Sequence, residues 1–490
     1  MLSFWSFSLL HQLLIPGIIL FLWGIVSWGW PVVSVILLSA FFPFYFGPVK
    51  FTIYGVPFTL IEWMIYVSFL VYIFRSFLSW RRLREGVMYN VKKGFGILSQ
   101  KHSSHHGWKR SLWTPIVFIL IGLLLPLISS FFEESSLAGI DRHILLGILK
   151  GWFIAPLMYF YLMQHVLPGL KAIRRCFEWY TISAVFLSLW GIAQFVLHFV
   201  TTPDGRVSGP FESANYLALY IMPAAVFVSM RLWYIFSVPR EYHGLIGLFR
   251  KIFHVDDALS PAVLIRYGLF GVILLVALYL TRSFGAFLGL FGSLFGYGIY
   301  HFFFSYWKVP FRKAMLWCAV VFVGLAVMGG IFFVTGDRGK FNQAFNVASR
   351  SSSSVRLQVW TVAGELIERN FFLGIGAGQF ERLYARDAST ILGHEPYEKT
   401  MLHPHNIFLM YWLSSGLVGL VGFVWLLVLL FVGIARMPRH DGVKRMALVC
   451  LTMLVAILLH GLVDTPIWKN DLALEFWMIV GALASLRKLV

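Results

Sequence analysis

Charge is scarce in this chain. Asp, Glu, Lys and Arg supply 13% of its 490 residues, against about a quarter in a soluble globular domain, so that class is excluded. Cysteine is nearly absent too. Cys318 and Cys450 lie inside apolar runs and Cys176 follows a basic loop, which speaks against a disulfide framework or a cysteine-based zinc site. Acidic residues number 22 against 40 basic ones, a formal net charge of +18. Such an excess invites nucleic acid, but the basic residues sit mainly in short loops between apolar runs, where they act as topology signals. No nucleic-acid partner is expected. There is no internal repeat and no low-complexity tract. The opening MLSFWSFSLLHQLL has no charged n-region and no small-residue cleavage site, so it reads as membrane domain rather than as a removed signal peptide.

What the chain does have is apolar length. Hydrophobic residues make up 59%, gathered into runs that begin at about 9–27 and 30–46 and continue through 284–304, 314–335, 416–435 and 446–463 to 472–486. Each run is near the roughly 20 residues that a helix needs to cross a bilayer. None alternates with the period of two that a membrane barrel shows. The expectation is an all-α polytopic membrane protein with about 12–13 transmembrane helices. The loop 75–110 holds nine basic residues against Glu85 alone, and further Lys and Arg follow alternate runs, which makes these loops cytoplasmic. The opposite side then receives 200–214, the turn at Arg282, 336–404 and 464–471. Thirteen spans would put the N-terminus outside, so one of the first two runs is a candidate re-entrant or interfacial helix.

The chain divides into three regions: an N-terminal transmembrane bundle (1–335), a cap loop on the exported side (336–404), and C-terminal helices (405–490). The cap nearly balances its charge, eight basic residues against seven acidic. Within it SSSSVRLQVWTVAGELIERN reads as a helix with an apolar stripe, and Gly374, Gly376 and Gly378 end that helix. The stretch HPHNIFLMYWLSSGLVGLVG places His403, His405 and Asn406 at the mouth of a span. On the same face fall Arg206, Asn215, Arg282, Arg350, Arg356 and Asp464, with Lys150 near it. Arginine keeps its charge and offers a planar fork of donors suited to phosphate oxygens. An ionised residue between two apolar runs, as at Arg282, is a functional candidate by default. A histidine beside such arginines is the natural general base. Gly416, Gly419 and Gly422 recur every three residues and are expected to let helices pack closely.

His405-Asn406, nine residues, Gly416, two residues, Gly419 resembles the His-Asn-x9-Gly-x-x-Gly motif of the O-antigen ligase and O-antigen polymerase superfamily. RVSGPFESANYLA, TRSFGA, SSSSVRLQVW with FFLGIGAGQF, and HGLVDTPIWKNDLALEFW are similar to further segments of that family, in order, across roughly 200–486. Ser283 and Phe284 depart from it, standing where glycine is usual. The resemblance implies a GT-C-like fold in the bacterial cytoplasmic (inner) membrane. It implies an enzyme that transfers a glycan from undecaprenyl pyrophosphate to a glycan, lipid or protein acceptor on the extracytoplasmic face. It also implies inversion at the anomeric carbon with no cofactor and no metal. His405 would be the base, acting with Arg282; Arg206 and Arg356 would bind the pyrophosphate with Arg282. Asn215, Arg350, Lys150, His403, Asn406 and Asp464 are further candidates for substrate binding. The alternative is a transporter or flippase for lipid-linked oligosaccharides, which commonly shows the internal symmetry that this chain lacks.

Overall fold

The computed structural model describes residues 9–43, 51–53, 56–93, 106–131, 141–199, 202, 205–237, 261–302, 352–438 and 441–490. Arg350 and the expected span at 314–335 lie outside them. Among the described residues the regular structure is helical apart from one short hairpin, in which β1 (Phe51–Ile53) pairs antiparallel with β2 (Val56–Phe58). Before it come α1 (Leu9–Gly29) and α2 (Pro31–Leu38); after it α3 (Leu60–Lys93) and α4 (His106–Ser129). Next, α5 (Arg142–Ile148) runs through a π-helical turn (Leu149–Ile154) into α6 (Ala155–Val166). Then come α7 (Leu170–Val196), α8 (Ala214–Ser237), α9 (Pro261–Thr281) and α10 (Phe284–His301). The remaining helices are α11 (Ser352–Arg369), α12 (Phe380–Leu392), α13 (Ile407–Ala435), α14 (Asp441–His460) and α15 (Asn470–Arg487).

Eight described segments are long and apolar enough to cross a bilayer: 60–80, 112–129, 142–166, 170–196, 214–235, 262–281, 407–435 and 442–460. The protein is therefore an all-α polytopic membrane protein. The run at 30–46 does not form a span. Its helix, α2, has only eight residues, about 12 Å at 1.5 Å per residue, and is half swallowed by the bundle through Ser34, Val35, Ile36 and Leu38. Pro31 sets its first turn, and Pro43 stands just beyond its end.

The core forms around α15, which is buried from Asp471 to Leu486 on every side. α6, α8 and α14 pack against it. The longest pairing joins α13 to α4 and is made of glycine. A Cβ at Gly122 would stand 2.7 Å from the Gly419 nitrogen, and one at Gly422 would stand 2.8 Å from the Pro115 carbonyl. Those glycines bring two backbones together, as their spacing suggested. Gly416 does something else. It carries φ 62 and breaks α13, and a Cβ there would collide with the Phe372 carbonyl.

Residues 352–404 have a small core of their own. Val359, Val362, Leu366, Ile375, Phe380 and Tyr384 pack together, and Leu413 of α13 closes the cluster. The helix expected across SSSSVRLQVWTVAGELIERN is present as α11. The break expected after it is present as well, with Gly374, Gly376 and Gly378 all at positive φ. Gln379 then fastens this unit to the bundle: its oxygen accepts from Asp141 N at 3.2 Å and its nitrogen donates to Asp141 O at 3.3 Å.

Candidate active site

The site is organised by the loop between α14 and α15, residues 461–469, on which four other segments converge. Asn406 holds the first of them. Its side-chain oxygen caps α13, accepting from Phe408 N at 3.0 Å and Leu409 N at 3.1 Å, while its nitrogen donates to Leu462 O at 3.1 Å. Ile407 N donates to Gly461 O at 2.8 Å. Both ends of the Asn406 side chain are thereby committed to fixing the backbone that carries His405.

His405 has φ 49, a left-handed conformation that non-glycine residues seldom adopt. It aims Nδ1 at Asp464 Oδ1, 3.3 Å away, with 22% of the His405 side chain exposed and 3% of Asp464. Asp464 also accepts from its neighbour Thr465 N at 2.9 Å and from Asn215 Nδ2 at 3.2 Å. Burial pushes this carboxyl up, but the His405 hydrogen bond and the three surrounding imidazoles outweigh burial and hold it well below the usual carboxylate range. An ionised Asp464 only accepts, so His405 Nδ1 carries the proton of this hydrogen bond. Among the described residues Nε2 has no hydrogen-bond partner.

His403 meets His405 edge to face with ring centroids 4.4 Å apart. Its Nε2 is 3.4 Å from the Tyr216 hydroxyl, and among the described residues its buried Nδ1 has no partner. Burial, and then the neighbouring His405, push the His403 imidazole down to about 3 against the pull of Asp464. Together His403, His405 and Asp464 offer ligand atoms that all lie within 4.8 Å of one another, close enough to hold a metal ion.

The cations come from separate elements. Arg356, on α11, donates from Nε to Val463 O at 3.0 Å. Burial pulls its guanidinium down and Asp464 opposes that. Arg206 donates from Nη1 to Asn215 Oδ1 at 3.2 Å. Its loop is braced by the buried Gln194, whose nitrogen donates to Gly209 O and whose oxygen accepts from Gly209 N. Arg282 forms the turn between α9 and α10, again at φ 49, with its side chain exposed. Among the described residues its guanidinium has no partner. The turn reaches the central loop through Gly285, where a Cβ would stand 2.4 Å from His460 Cδ2 and 3.0 Å from Val463 Cγ2. Arg282 itself takes the backbone conformation that glycine usually supplies in such a turn.

Lys150 is engaged elsewhere. Its ammonium pairs with Glu62 at 2.6 Å, with 14% and 3% of the two side chains exposed, and lies 3.8 Å from the Phe58 ring centroid. That pair is internal to the bundle, so Lys150 is not presented to a substrate. Sequence reasoning missed Lys469, whose ammonium lies 4.0 Å from the Tyr216 ring centroid. Burial lowers its pKa, with Asp471 and Glu212 opposing. It also missed Tyr216 and Gln194. Lys469 and Tyr216 do lie inside two of the quoted segments, beside Asp464 and Asn215; their proximity was the available signal. His460, expected to pack in its span, is buried and lies against the Arg282 turn.

Residues 269–424 match the family model described as O-antigen ligase. No curated protein matches the chain. The matched region runs from within α9, through the Arg282 turn and the cap helices, to the Gly416–Gly422 stretch of α13, and so contains Arg282, Arg356, His403 and His405. With the ordered motifs and the helical membrane fold, this match over about a third of the chain supports a relationship to the O-antigen ligase and polymerase superfamily.

Proposed function

We propose that the protein transfers a glycan from undecaprenyl pyrophosphate to an acceptor hydroxyl at the outer face of the bacterial cytoplasmic membrane, inverting the anomeric carbon without a metal. His405 Nε2 takes the proton from the acceptor hydroxyl as that oxygen attacks, and pyrophosphate leaves with the electrons of the broken C–O bond. Asp464 keeps the proton on Nδ1 and stabilises the imidazolium that forms, the role a buried carboxylate plays behind a histidine base. Arg282, Arg356 and Arg206, joined by Lys469, neutralise the charge that develops on the leaving phosphates. Pyrophosphate needs such charge stabilisation more than it needs a general acid. Asn215 joins the two halves of the site, since it accepts from Arg206 and donates to Asp464.

The observation that carries this reading is the His405–Asp464 pair at 3.3 Å, set in a loop that Arg356 binds directly and the Arg282 turn contacts through Gly285. The test is incubation of the purified protein with an undecaprenyl-pyrophosphate glycan and candidate acceptors in excess chelator. Longer lipid-linked chains identify a polymerase; a sugar-bearing lipid A core or peptide identifies a ligase or protein transferase. A folded His405→Ala protein that transfers at the full rate refutes the base assignment.

A further inference from the structure

Two histidines and an aspartate within 4.8 Å of one another are more than a base and its orienting acid require. Two ligands of a tetrahedral zinc ion, each at about 2.0–2.1 Å, lie about 3.3 Å apart. The His405 Nδ1–Asp464 Oδ1 separation of 3.3 Å has that length. His403 supplies an independent observation: its Nδ1 is buried and lacks any hydrogen-bond partner among the described residues, although its ring packs edge-on against His405. A buried polar atom left in that state calls for a ligand. The other Asp464 oxygen is held by Asn215, an outer hydrogen bond of the kind that fixes a metal-binding carboxylate. Two imidazoles and one carboxylate with a fourth position open make a donor set for zinc and its neighbours. Magnesium and calcium prefer oxygen alone. Arg356 faces Asp464 and opposes a dication, so the site suits an ion bound through nitrogen rather than one held by charge.

We propose that His403, His405 and Asp464 form a binding site for a first-row transition metal ion, zinc foremost, and that its occupation inhibits transfer. The inhibitory half rests on the reading of His405 as base. A neutral imidazole has one proton and one lone pair. Metal on Nδ1 claims the lone pair there, so the proton moves to Nε2, and Nε2 can then donate but not accept. The acceptor hydroxyl loses its base while the ring stays neutral. No bond to carbon changes and nothing is oxidised.

The experiment uses the full chain in detergent, stripped of metal and titrated with Co2+ as a spectroscopic substitute for zinc, in the absence of donor and acceptor. One ion per chain with intense tetrahedral visible bands, displaced by Zn2+, is expected. His403→Ala and Asp464→Asn should each weaken binding by at least about tenfold, with thermal melting as the check on folding. Wild-type protein that binds no Co2+ overturns the site whatever the variants do, as does binding that survives both substitutions in folded protein. In transfer assays Zn2+ should inhibit and chelator should reverse it; transfer that continues at full zinc occupancy overturns the inhibitory half. Activity of the stripped protein alone reports on the metal-free base mechanism, so the two readings fail separately.

Discussion

Lys150–Glu62 and the group around His405 are both clusters of ionisable residues in a membrane protein, joined by the short segment from Asp464 to Asn470. They differ in completeness. In the first, Glu62 Oε2 accepts from Lys150 Nζ and from Thr59 N, Glu62 Oε1 accepts from Asn470 Nδ2 at 2.8 Å, and Asn470 Oδ1 accepts from Trp152 Nε1 at 2.6 Å. A Cβ on Gly151 would stand 2.4 Å from Glu62 Oε1, so there is no room for a guest. In the second, His403 Nδ1, His405 Nε2 and the Arg282 guanidinium are left over among the described residues. A closed network of this kind holds helices together, whereas an open one is built for something outside the chain.

The sharpest way to break this contrast is His405→Ala. Removing a general base lowers transfer by roughly 10²–10⁴-fold, and the melting temperature in detergent should fall much less, because Asp464 keeps its hydrogen bonds from Thr465 N and Asn215 Nδ2. Glu62→Ala should do the reverse. It strands a buried ammonium, which costs about 3–5 kcal/mol and is read as a lower melting temperature. Glu62→Ala with Lys150→Met should recover much of that loss. If Glu62→Ala melts normally but binds donor poorly, the two clusters are one site and the contrast fails. Arg282→Ala comes next: loss of one charge-assisted phosphate contact, about 1.5–3 kcal/mol, should raise the donor KM by tenfold or more. Arg282→Lys should restore only part of it. An unchanged KM would remove Arg282 from the leaving-group site. The smallest effect is expected from Asn406→Ala, about 1 kcal/mol of stability from the lost helix cap. Asn406→Asp should keep the cap yet lose the bond to Leu462 O, and comparing the two melting curves separates the contributions.

Much of this was legible in the residues because local chemistry fixed it. Apolar runs became helices, and three glycines broke the chain after α11. Other features depended on partners distant in sequence. Lys150 looks free to reach a phosphate until Glu62, 88 positions away, is placed beside it. Gly416 shares a spacing with Gly419 and Gly422, yet its left-handed backbone answers to the Phe372 carbonyl, which no periodicity encodes. The run at 30–46 measures apolar length, and apolar length is not helix length, since α2 already stops at Leu38. Lys469 went unnoticed because one lysine in a loop has no signature until an aromatic ring lies under it.

The break at Gly416 has a mechanical consequence. Ile375 N donates to Leu413 O at 2.6 Å, and Trp412 Nε1 donates to Phe371 O at 3.0 Å. The segment 352–404 is thus stitched into the gap in the long helix, while Trp360 Nε1 grips the Pro404 carbonyl at 2.9 Å just ahead of His405. Lifting that segment would drag the backbone that carries His405 away from Asp464, so the cover and the His405–Asp464 pair are mechanically one unit.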